Sequence, residues 1–180
     1  MPDRAERHGH GPLSILASRR VALGFLSAVA ALALARPTWA SWGAGLAVAV
    51  AGQGLRIWAA GHIDKDREVT MSGPYQYTRH PLYAGSSVMA LGAVIACRSV
   101  VVAVLVTLYL VATIGAAVVT EEARLRRDFG SAYDDYARAA APAVHRSFSL
   151  ERALGNREYR AVAGLAGGFL ILALKAAFNL

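Results

Sequence analysis

Apolar residues in this chain are gathered into five blocks that are separated by polar segments. The blocks cover residues 21–35, 42–60, 82–97, 99–119 and 161–178. A helix that crosses a membrane needs about 20 apolar residues, so the short first and third blocks must borrow flanking residues. None of the blocks alternates between apolar and polar positions as a half-buried strand does. The pattern therefore predicts an all-α bundle of about five transmembrane helices, whose backbone groups are satisfied within each helix.

The third and fourth blocks are separated only by Arg98 and its immediate neighbours. So short a connection predicts a tight helical hairpin on one side of the membrane. The polar segments 62–81 and 120–160 then emerge together on the other side. Topology alone is thus expected to bring the two polar segments into one site.

The basic residues are distributed unevenly along the chain. Most of the 19 lysines and arginines lie before residue 21, in 62–81 or in 120–160. This asymmetry follows the positive-inside rule and predicts a cytoplasmic N-terminus and a cytoplasmic site. The net charge of +7 therefore reflects membrane topology, and we expect no nucleic-acid partner. A hydrophobic fraction of 56% gathered in blocks excludes an ordinary soluble domain.

The length of 180 residues suits one domain, which we expect to span 21–180 after a cytoplasmic tail at 1–20. No cleavable signal peptide is expected, because the first apolar block carries no clear cleavage site. The single cysteine excludes an internal disulfide, and no Cys/His spacing indicates a metal site. His8 and His10 lie in the tail and are interpreted as solvated.

The first polar segment leads into the third block through Gly73-Pro74 and then Arg79-His80-Pro81. Proline suits the first turn of a helix, where its missing N–H costs nothing, so His80 should stand at the mouth of that helix. Helix N-termini attract anions such as a ligand carboxylate. The neighbouring Tyr75, Tyr77 and Tyr83 are alternatively a simple interfacial aromatic belt.

The second polar segment begins with Glu121-Glu122, where the fourth block ends. Two carboxylates at a membrane boundary are costly unless they are paired or hydrated, and a ligand could supply that pairing. Glu122 and Arg126 have the i,i+4 spacing of a helix-surface ion pair, which is the simpler interpretation for Glu122.

Leu125, Phe129, Tyr133 and Tyr136 recur at helical spacing and form an apolar stripe beyond the glutamates. This periodicity predicts a cytoplasmic amphipathic helix after the fourth block, lying on the membrane or over the site.

Arg56 lies deep in the second block. A basic residue there either snorkels to the interface or faces a polar cavity. Gly164 and Gly168 form a GxxxG pattern in the fifth block, which allows close helix packing within the chain or a homodimer.

These residues together resemble the isoprenylcysteine carboxyl methyltransferase family and the related phospholipid methyltransferases. The shared pattern comprises a GPY turn, RHPxY at a helix start, a hairpin, a Glu pair, and then FGxxYxxY. It covers about 45–142 and is specific in combination, whereas each piece alone is weak.

The resemblance implies a membrane enzyme that binds S-adenosylmethionine at the cytoplasmic ends of its core helices. Implied catalytic residues are Glu121, His80 and Arg79. The implied cofactor-binding residues are Tyr75, His80, Pro81, Tyr83, Gly85, Glu121, Glu122 and Tyr133.

Two departures from the family pattern concern the substrate and the C-terminus. In eukaryotic prenylcysteine enzymes an arginine precedes the first glutamate by four residues, and here that position is Ala117. This substitution puts a prenylcysteine carboxylate substrate in doubt. The chain also continues into an extra helix at 161–178, whose role the pattern leaves open.

The sequence therefore predicts a methyltransferase of a bacterial inner membrane that acts on a lipophilic acceptor, either an isoprenylcysteine-like carboxylate or a lipid. One alternative is an NADPH-dependent reductase related to sterol reductases. No Gly-rich dinucleotide loop supports that alternative. The other is a non-catalytic membrane scaffold that docks a partner.

Overall fold

The computed structural model describes residues 24–64, 68–138 and 146–179, and these ranges contain helices but no strand. The all-α prediction is thereby confirmed for the described part of the chain. The predicted tail at 1–20, with His8 and His10, lies outside the described residues.

Within the described residues, each of the five apolar blocks forms a helix, and two further short helices lie in the second polar segment. The helices are α1 Gly24–Leu34, α2 Trp39–Ala60, α3 Pro81–Cys97, α4 Val100–Phe129, α5 Ser131–Ala137, α6 Leu150–Gly155 and α7 Tyr159–Phe178. Among the described residues, α4 and α7 are long and apolar enough to cross a membrane. Two such helices are fewer than the five spans expected, and that number stays a prediction.

Helices α2 and α3 pack backbone against backbone through glycines. A Cβ placed on Gly52 would lie 2.6 Å from the backbone nitrogen of Met89 and 2.7 Å from the carbonyl oxygen of Gly85. A Cβ on Gly85 would in turn lie 2.7 Å from Cγ of Arg56. Only hydrogen fits at these positions, so the two helices approach closely enough to hold the start of α3 against the end of α2.

The predicted hairpin between α3 and α4 is confirmed. Arg98 ends α3 in the left-handed conformation, with φ 53°, and Ser99 caps α4 by accepting a hydrogen bond from the Val102 amide. Two residues thus reverse the chain, and the N-terminal end of α3 comes to face the C-terminal end of α4.

Helix α4 continues past the apolar block, so the glutamate pair lies within it. It ends at Phe129 because Gly130 takes φ 51°, and α5 then starts at Ser131. The structure therefore differs from the single amphipathic helix predicted after the fourth block. The stripe is divided, with Leu125 and Phe129 on α4 and Tyr133 and Tyr136 on α5.

The C-terminal segment returns to the end of α2. Asn156 Nδ2 donates to the carbonyl oxygens of Ala60 and Ile63 at 3.0 and 3.2 Å, and Arg152 Nε donates to that of Gly61 at 2.9 Å. Further along, α7 lies against α2, where Trp42 Nε1 donates to the carbonyl oxygen of Phe169. Helix α7 is thereby fixed beside α1, α2 and α3.

Candidate active site

The two polar segments meet where α3 begins and α4 leaves its apolar part. Tyr83 Oη donates a 2.7 Å hydrogen bond to Glu121 Oε2, and His80 Nε2 lies 3.2 Å from Glu122 Oε1. The prediction that topology brings these segments together is confirmed by both contacts.

His80 takes its place because Pro81 opens α3. It is the residue that precedes the helix, as predicted, and its ring stacks on Tyr83 with centroids 5.7 Å apart. Its side chain makes no cap to its own helix and reaches across to α4 instead. The carboxylate that lies beside the N-terminus of α3 is therefore that of Glu122, a residue of the protein and not part of a ligand.

Glu122 is the centre of an ion-pair cluster. Arg79 Nη1 lies 3.2 Å from its Oε1, and Arg126 Nη2 lies 3.5 Å from its Oε2, in addition to His80. The i,i+4 pair with Arg126 predicted from the sequence is therefore present. Because three basic side chains surround this carboxylate, it already has the partners that a buried charge requires.

Glu121 has a different environment, although it is the adjacent residue. It accepts one hydrogen bond, from Tyr83, and no basic side chain of the described residues forms an ion pair with it. It also lines two neighbouring cavities. A carboxylate left without a cation at the wall between two cavities is well placed to receive a positively charged ligand.

Three cavities lie in a row through this part of the molecule. The first, which we call the polar cavity, has a volume of about 450 Å³ and is lined among others by Asp64, Thr70, Arg124 and Asp128. The second, the junction chamber, has about 360 Å³ and shares Tyr75, Arg79, Tyr83 and Glu121 with the first. The third, the apolar groove, has about 480 Å³ and lies between α1, α3 and α7.

Tyr75 belongs to the short 3-10 turn Gly73–Gln76 and is nearly inaccessible to solvent, at 7% exposure. Its backbone oxygen accepts a 2.8 Å hydrogen bond from Tyr136 Oη, whereas its own hydroxyl has no hydrogen-bond partner among the described residues. Tyr75 lines both the polar cavity and the junction chamber, so a ligand bound there could supply the hydrogen-bond partner that its hydroxyl lacks.

Burial fixes the protonation of the tyrosines at neutral pH. It raises the pKa of Tyr136 to about 12 and that of Tyr75 above its usual range, where the nearby Glu121 carboxylate acts in the same direction. Both phenols are therefore neutral at pH 7 and serve as hydrogen-bond donors, not as general bases.

The structure places three of the predicted cofactor-binding residues, Gly85, Glu122 and Tyr133, outside the linings of these cavities. Tyr133 is fully buried beneath the guanidinium of Arg126, which lies 5.5 Å from the ring centroid. Gly85 faces α2, where only glycine fits. Pro81 lines the junction chamber, as does His80, while Glu122 lies behind them in its ion-pair cluster. The roles assigned to these residues remain predictions.

One buried ion pair near the site is absent from the sequence prediction. Arg56 Nη2 and Nε donate to the two carboxylate oxygens of Glu158 at 2.7 and 3.1 Å, and Gln53 Nε2 lies 3.4 Å from the same carboxylate. Arg56 thus lies among polar groups within the bundle, the second of its two predicted environments, and lines both the junction chamber and the apolar groove. The sequence features that could have indicated this ion pair are the i,i+3 spacing of Gln53 and Arg56 and the position of Glu158 beside the fifth apolar block.

Comparison with known proteins gives a consistent result. The curated Protein-S-isoprenylcysteine O-methyltransferase of Schizosaccharomyces pombe is 34% identical over 90 residues, which are 50% of this chain and 38% of that protein. The chain therefore spans well under half the length of this relative. No solved structure matches. The family model for phospholipid methyltransferases matches residues 42–132, half of the chain, from α2 through the start of α5. The chain thus belongs to the phospholipid methyltransferase family.

Proposed function

We propose that the protein is a membrane methyltransferase that uses S-adenosylmethionine and transfers its methyl group to a lipophilic acceptor. The observation that carries this proposal is Glu121, a carboxylate with no ion-pair partner among the described residues, which lies at the wall between the polar cavity and the junction chamber. Membership of a methyltransferase family supports it.

The residues present fit this cofactor. A polar cavity of about 450 Å³ lies within the range of small-molecule sites, and it offers both Glu121 and the Tyr75 hydroxyl, which has no hydrogen-bond partner among the described residues. When bound, S-adenosylmethionine supplies a methyl group on a positively charged sulfur. Glu121 would attract the positive charge of the ligand, and Tyr83, which donates to Glu121 at 2.7 Å, would hold that carboxylate in place.

The surrounding side chains determine which acceptors are favoured. Methyl transfer requires approach geometry and exclusion of water more than it requires acid–base help. An amine or thiol acceptor must lose a proton, but the buried tyrosines stay protonated at neutral pH. His80, which lines the junction chamber, is then a candidate base, while Arg79 holds Glu122 beside it. A carboxylate acceptor needs no base and fits this set of residues without further assistance.

The location of the protein follows from the same features. We infer an integral membrane protein of a bacterial inner membrane, with α4 and α7 among its spans and the site on the cytoplasmic side. The homodimer predicted through Gly164 and Gly168 stays a prediction and is no part of the proposal.

The cofactor assignment is tested by calorimetric titration of the purified protein in detergent with S-adenosylmethionine and S-adenosylhomocysteine. Micromolar binding that Glu121→Gln weakens by about tenfold or more, the value of one charge-assisted contact, is the expected result. Glu151→Gln on α6 is the matched control and should bind as the unmodified protein does. A folded protein that binds NADPH and neither of these ligands would replace the proposal with the reductase alternative, and one that binds none of the three would favour the scaffold.

A further inference from the structure

Two arginines that line the junction chamber are each bound to a glutamate other than Glu121. Arg79 Nη1 lies 3.2 Å from Glu122 Oε1, and Arg56 Nη2 lies 2.7 Å from Glu158 Oε1. Both arginines line the chamber, as does Glu121. Opposite charges that face one chamber attract each other unless other partners hold them apart. The lack of an ion pair at Glu121 among the described residues therefore depends on what holds these arginines.

Glu158 binds Arg56 with the geometry of a strong ion pair. Its two carboxylate oxygens accept from Arg56 Nη2 at 2.7 Å and from Nε at 3.1 Å, and Gln53 Nε2 lies 3.4 Å from the second oxygen. The side chains of Glu158 and Arg56 are 8% and 21% exposed. A forked and largely buried contact of this kind holds the guanidinium in one orientation.

The same orientation places the third nitrogen of Arg56 on the first turn of α3. Arg56 Nη1 donates to the Ser86 hydroxyl at 2.5 Å and to the carbonyl oxygen of Leu82 at 3.4 Å. The next residue, Tyr83, donates the hydrogen bond that Glu121 accepts. The Arg56 guanidinium is thus held at the residue that precedes the partner of Glu121.

The other arginines of the chamber are more exposed to solvent than Arg56. Arg79, Arg157 and Arg160 are exposed residues, whereas Arg56 is partly buried. Water stabilises an exposed guanidinium, but a guanidinium inside the bundle that loses its carboxylate is strongly destabilised and is driven toward another one. Arg56 is therefore the arginine whose release would affect Glu121 most.

We infer that Glu158 is a positioning residue, which holds the Arg56 guanidinium on α3 and thereby keeps Glu121 available to a positively charged ligand. Without the charge of Glu158, the Arg56 side chain turns toward Glu121, the only other carboxylate among the described residues that line the chamber. An ion pair within the protein then occupies the carboxylate that the cofactor needs. The inference rests on the proposed function for the ligand of Glu121.

The positioning charge comes from outside the part of the chain that matches the family model. Arg56 and Glu121 lie within the matched residues 42–132, whereas Glu158 is the N-cap residue of α7. The extra C-terminal helix therefore takes part in the site through the residue at its N-terminus.

Two variants that break the same ion pair test this inference. Glu158→Gln releases the guanidinium, whereas Arg56→Gln removes it. Glu158→Gln should therefore weaken binding of S-adenosylmethionine by about tenfold, as Glu121→Gln does, while Arg56→Gln should change it by less than about threefold. Calorimetric titration in detergent measures both affinities, and Glu151→Gln on α6 is again the control.

Two further variants separate positioning from a purely structural contribution. Glu158→Asp keeps the charge and should bind the cofactor as the unmodified protein does. Glu158→Gln combined with Arg56→Gln leaves no unpaired guanidinium and should restore the affinity to within about threefold of the unmodified value. A structural ion pair would make the two single variants equally weak binders. Equal losses in Glu158→Gln and Arg56→Gln, or no loss in either, would overturn the inference.

Thermal unfolding gives a second readout, which needs no cofactor. In the unmodified protein, Glu121→Gln should shift the midpoint by less than about 1 °C. In the Glu158→Gln background the same change removes the new partner of Arg56, so it should lower the midpoint by about 2–4 °C. Additive effects of the two substitutions would contradict the inference. This coupling in a protein that binds no S-adenosylmethionine would leave the role of Glu158 standing while the methyltransferase proposal fails.

Discussion

At the residue scale, the adjacent residues Glu121 and Glu122 of α4 have the same side chain but different environments. Glu122 is surrounded by Arg79, His80 and Arg126, and it ties α3 to α4. Glu121 instead accepts a hydrogen bond from the Tyr83 hydroxyl and lines both the polar cavity and the junction chamber. Successive residues on a helix point about 100° apart, so one carboxylate can be structural while its neighbour stays available to a ligand.

Tyr83→Phe should lower the affinity for S-adenosylmethionine by about five- to tenfold, since it removes the 2.7 Å hydrogen bond that orients Glu121 and such bonds contribute about 1–1.5 kcal/mol. Titration calorimetry measures the change. Tyr77→Phe, in the same segment but 82% exposed, is the matched control and should have no effect. Equal affinity in both variants would show that the hydrogen bond does not orient Glu121 for binding.

The sequence indicated most of these side chains as candidates, but it could not show which are structural and which are available to a ligand. The Glu pair, His80 and Tyr83 stand out because polar residues are rare in apolar surroundings. Which glutamate faces the cavities depends on how α4 is rotated against α3, and that rotation is set by the hairpin at Arg98. Glu158 was missed because its partner Arg56 is about a hundred residues away, and a single sequence carries no record of such a contact.

At the element scale, the close approach of α2 and α3 sets the position of the N-terminus of α3, where His80 lies. Gly52 and Gly85 allow this approach because a Cβ on either one would collide with the opposite helix. Arg56 is one turn beyond Gly52, so the same contact places its guanidinium at the junction chamber.

Gly52→Ala should reduce the free energy of unfolding by about 1–3 kcal/mol, because its Cβ would meet backbone atoms of α3, which cannot move aside. Gly54→Ala is the matched control two residues along α2. Its Cβ meets nothing within 4 Å, so the higher helix propensity of alanine should stabilise that variant by about 0.5–1 kcal/mol. Denaturant unfolding followed by circular dichroism compares them, and a Gly52→Ala protein as stable as Gly54→Ala would contradict the packing described.

Helix boundaries were the least predictable elements. The apolar stripe through 125–136 keeps helical spacing across Gly130, and one glycine inside a helix costs only about 1 kcal/mol, so periodicity alone did not reveal the break. The backbone reveals it, because Gly130 takes φ 51° and ψ −125°. Helix α6 has six residues, too few for a recognisable period.

At the scale of the whole molecule, polar groups gather at one end of the bundle and the Arg98 hairpin lies at the other. The 3-10 turn at Gly73–Gln76, the end of α4 and helix α6 all belong to the polar end. Exposed apolar side chains such as Val104, Leu108 and Val111 follow α4 between the two ends, as expected for a helix surrounded by lipid.

Cysteine labelling in sealed inner-membrane vesicles should therefore distinguish residues at the polar end of the bundle from residues at the Arg98 hairpin. In a Cys97→Ser background, Tyr77→Cys and Glu151→Cys should react with a membrane-impermeant maleimide from the cytoplasmic side, and Arg98→Cys only from the opposite side. Labelling of all three from one side would contradict the proposed orientation.

The row of three cavities has a consequence for the order of the reaction. The polar cavity is bounded by residues 63–64, by residues 68–70 and by the end of α4, whereas the apolar groove opens between α1, α3 and α7. Among the described residues, these two cavities share no lining residue and are joined by the junction chamber, so a water-soluble and a lipid-soluble reactant would have separate routes of entry. Neither reactant need wait for the other to leave. Steady-state kinetics with both reactants varied would then give intersecting double-reciprocal lines, typical of a mechanism that passes through a ternary complex, whereas parallel lines would contradict simultaneous occupancy.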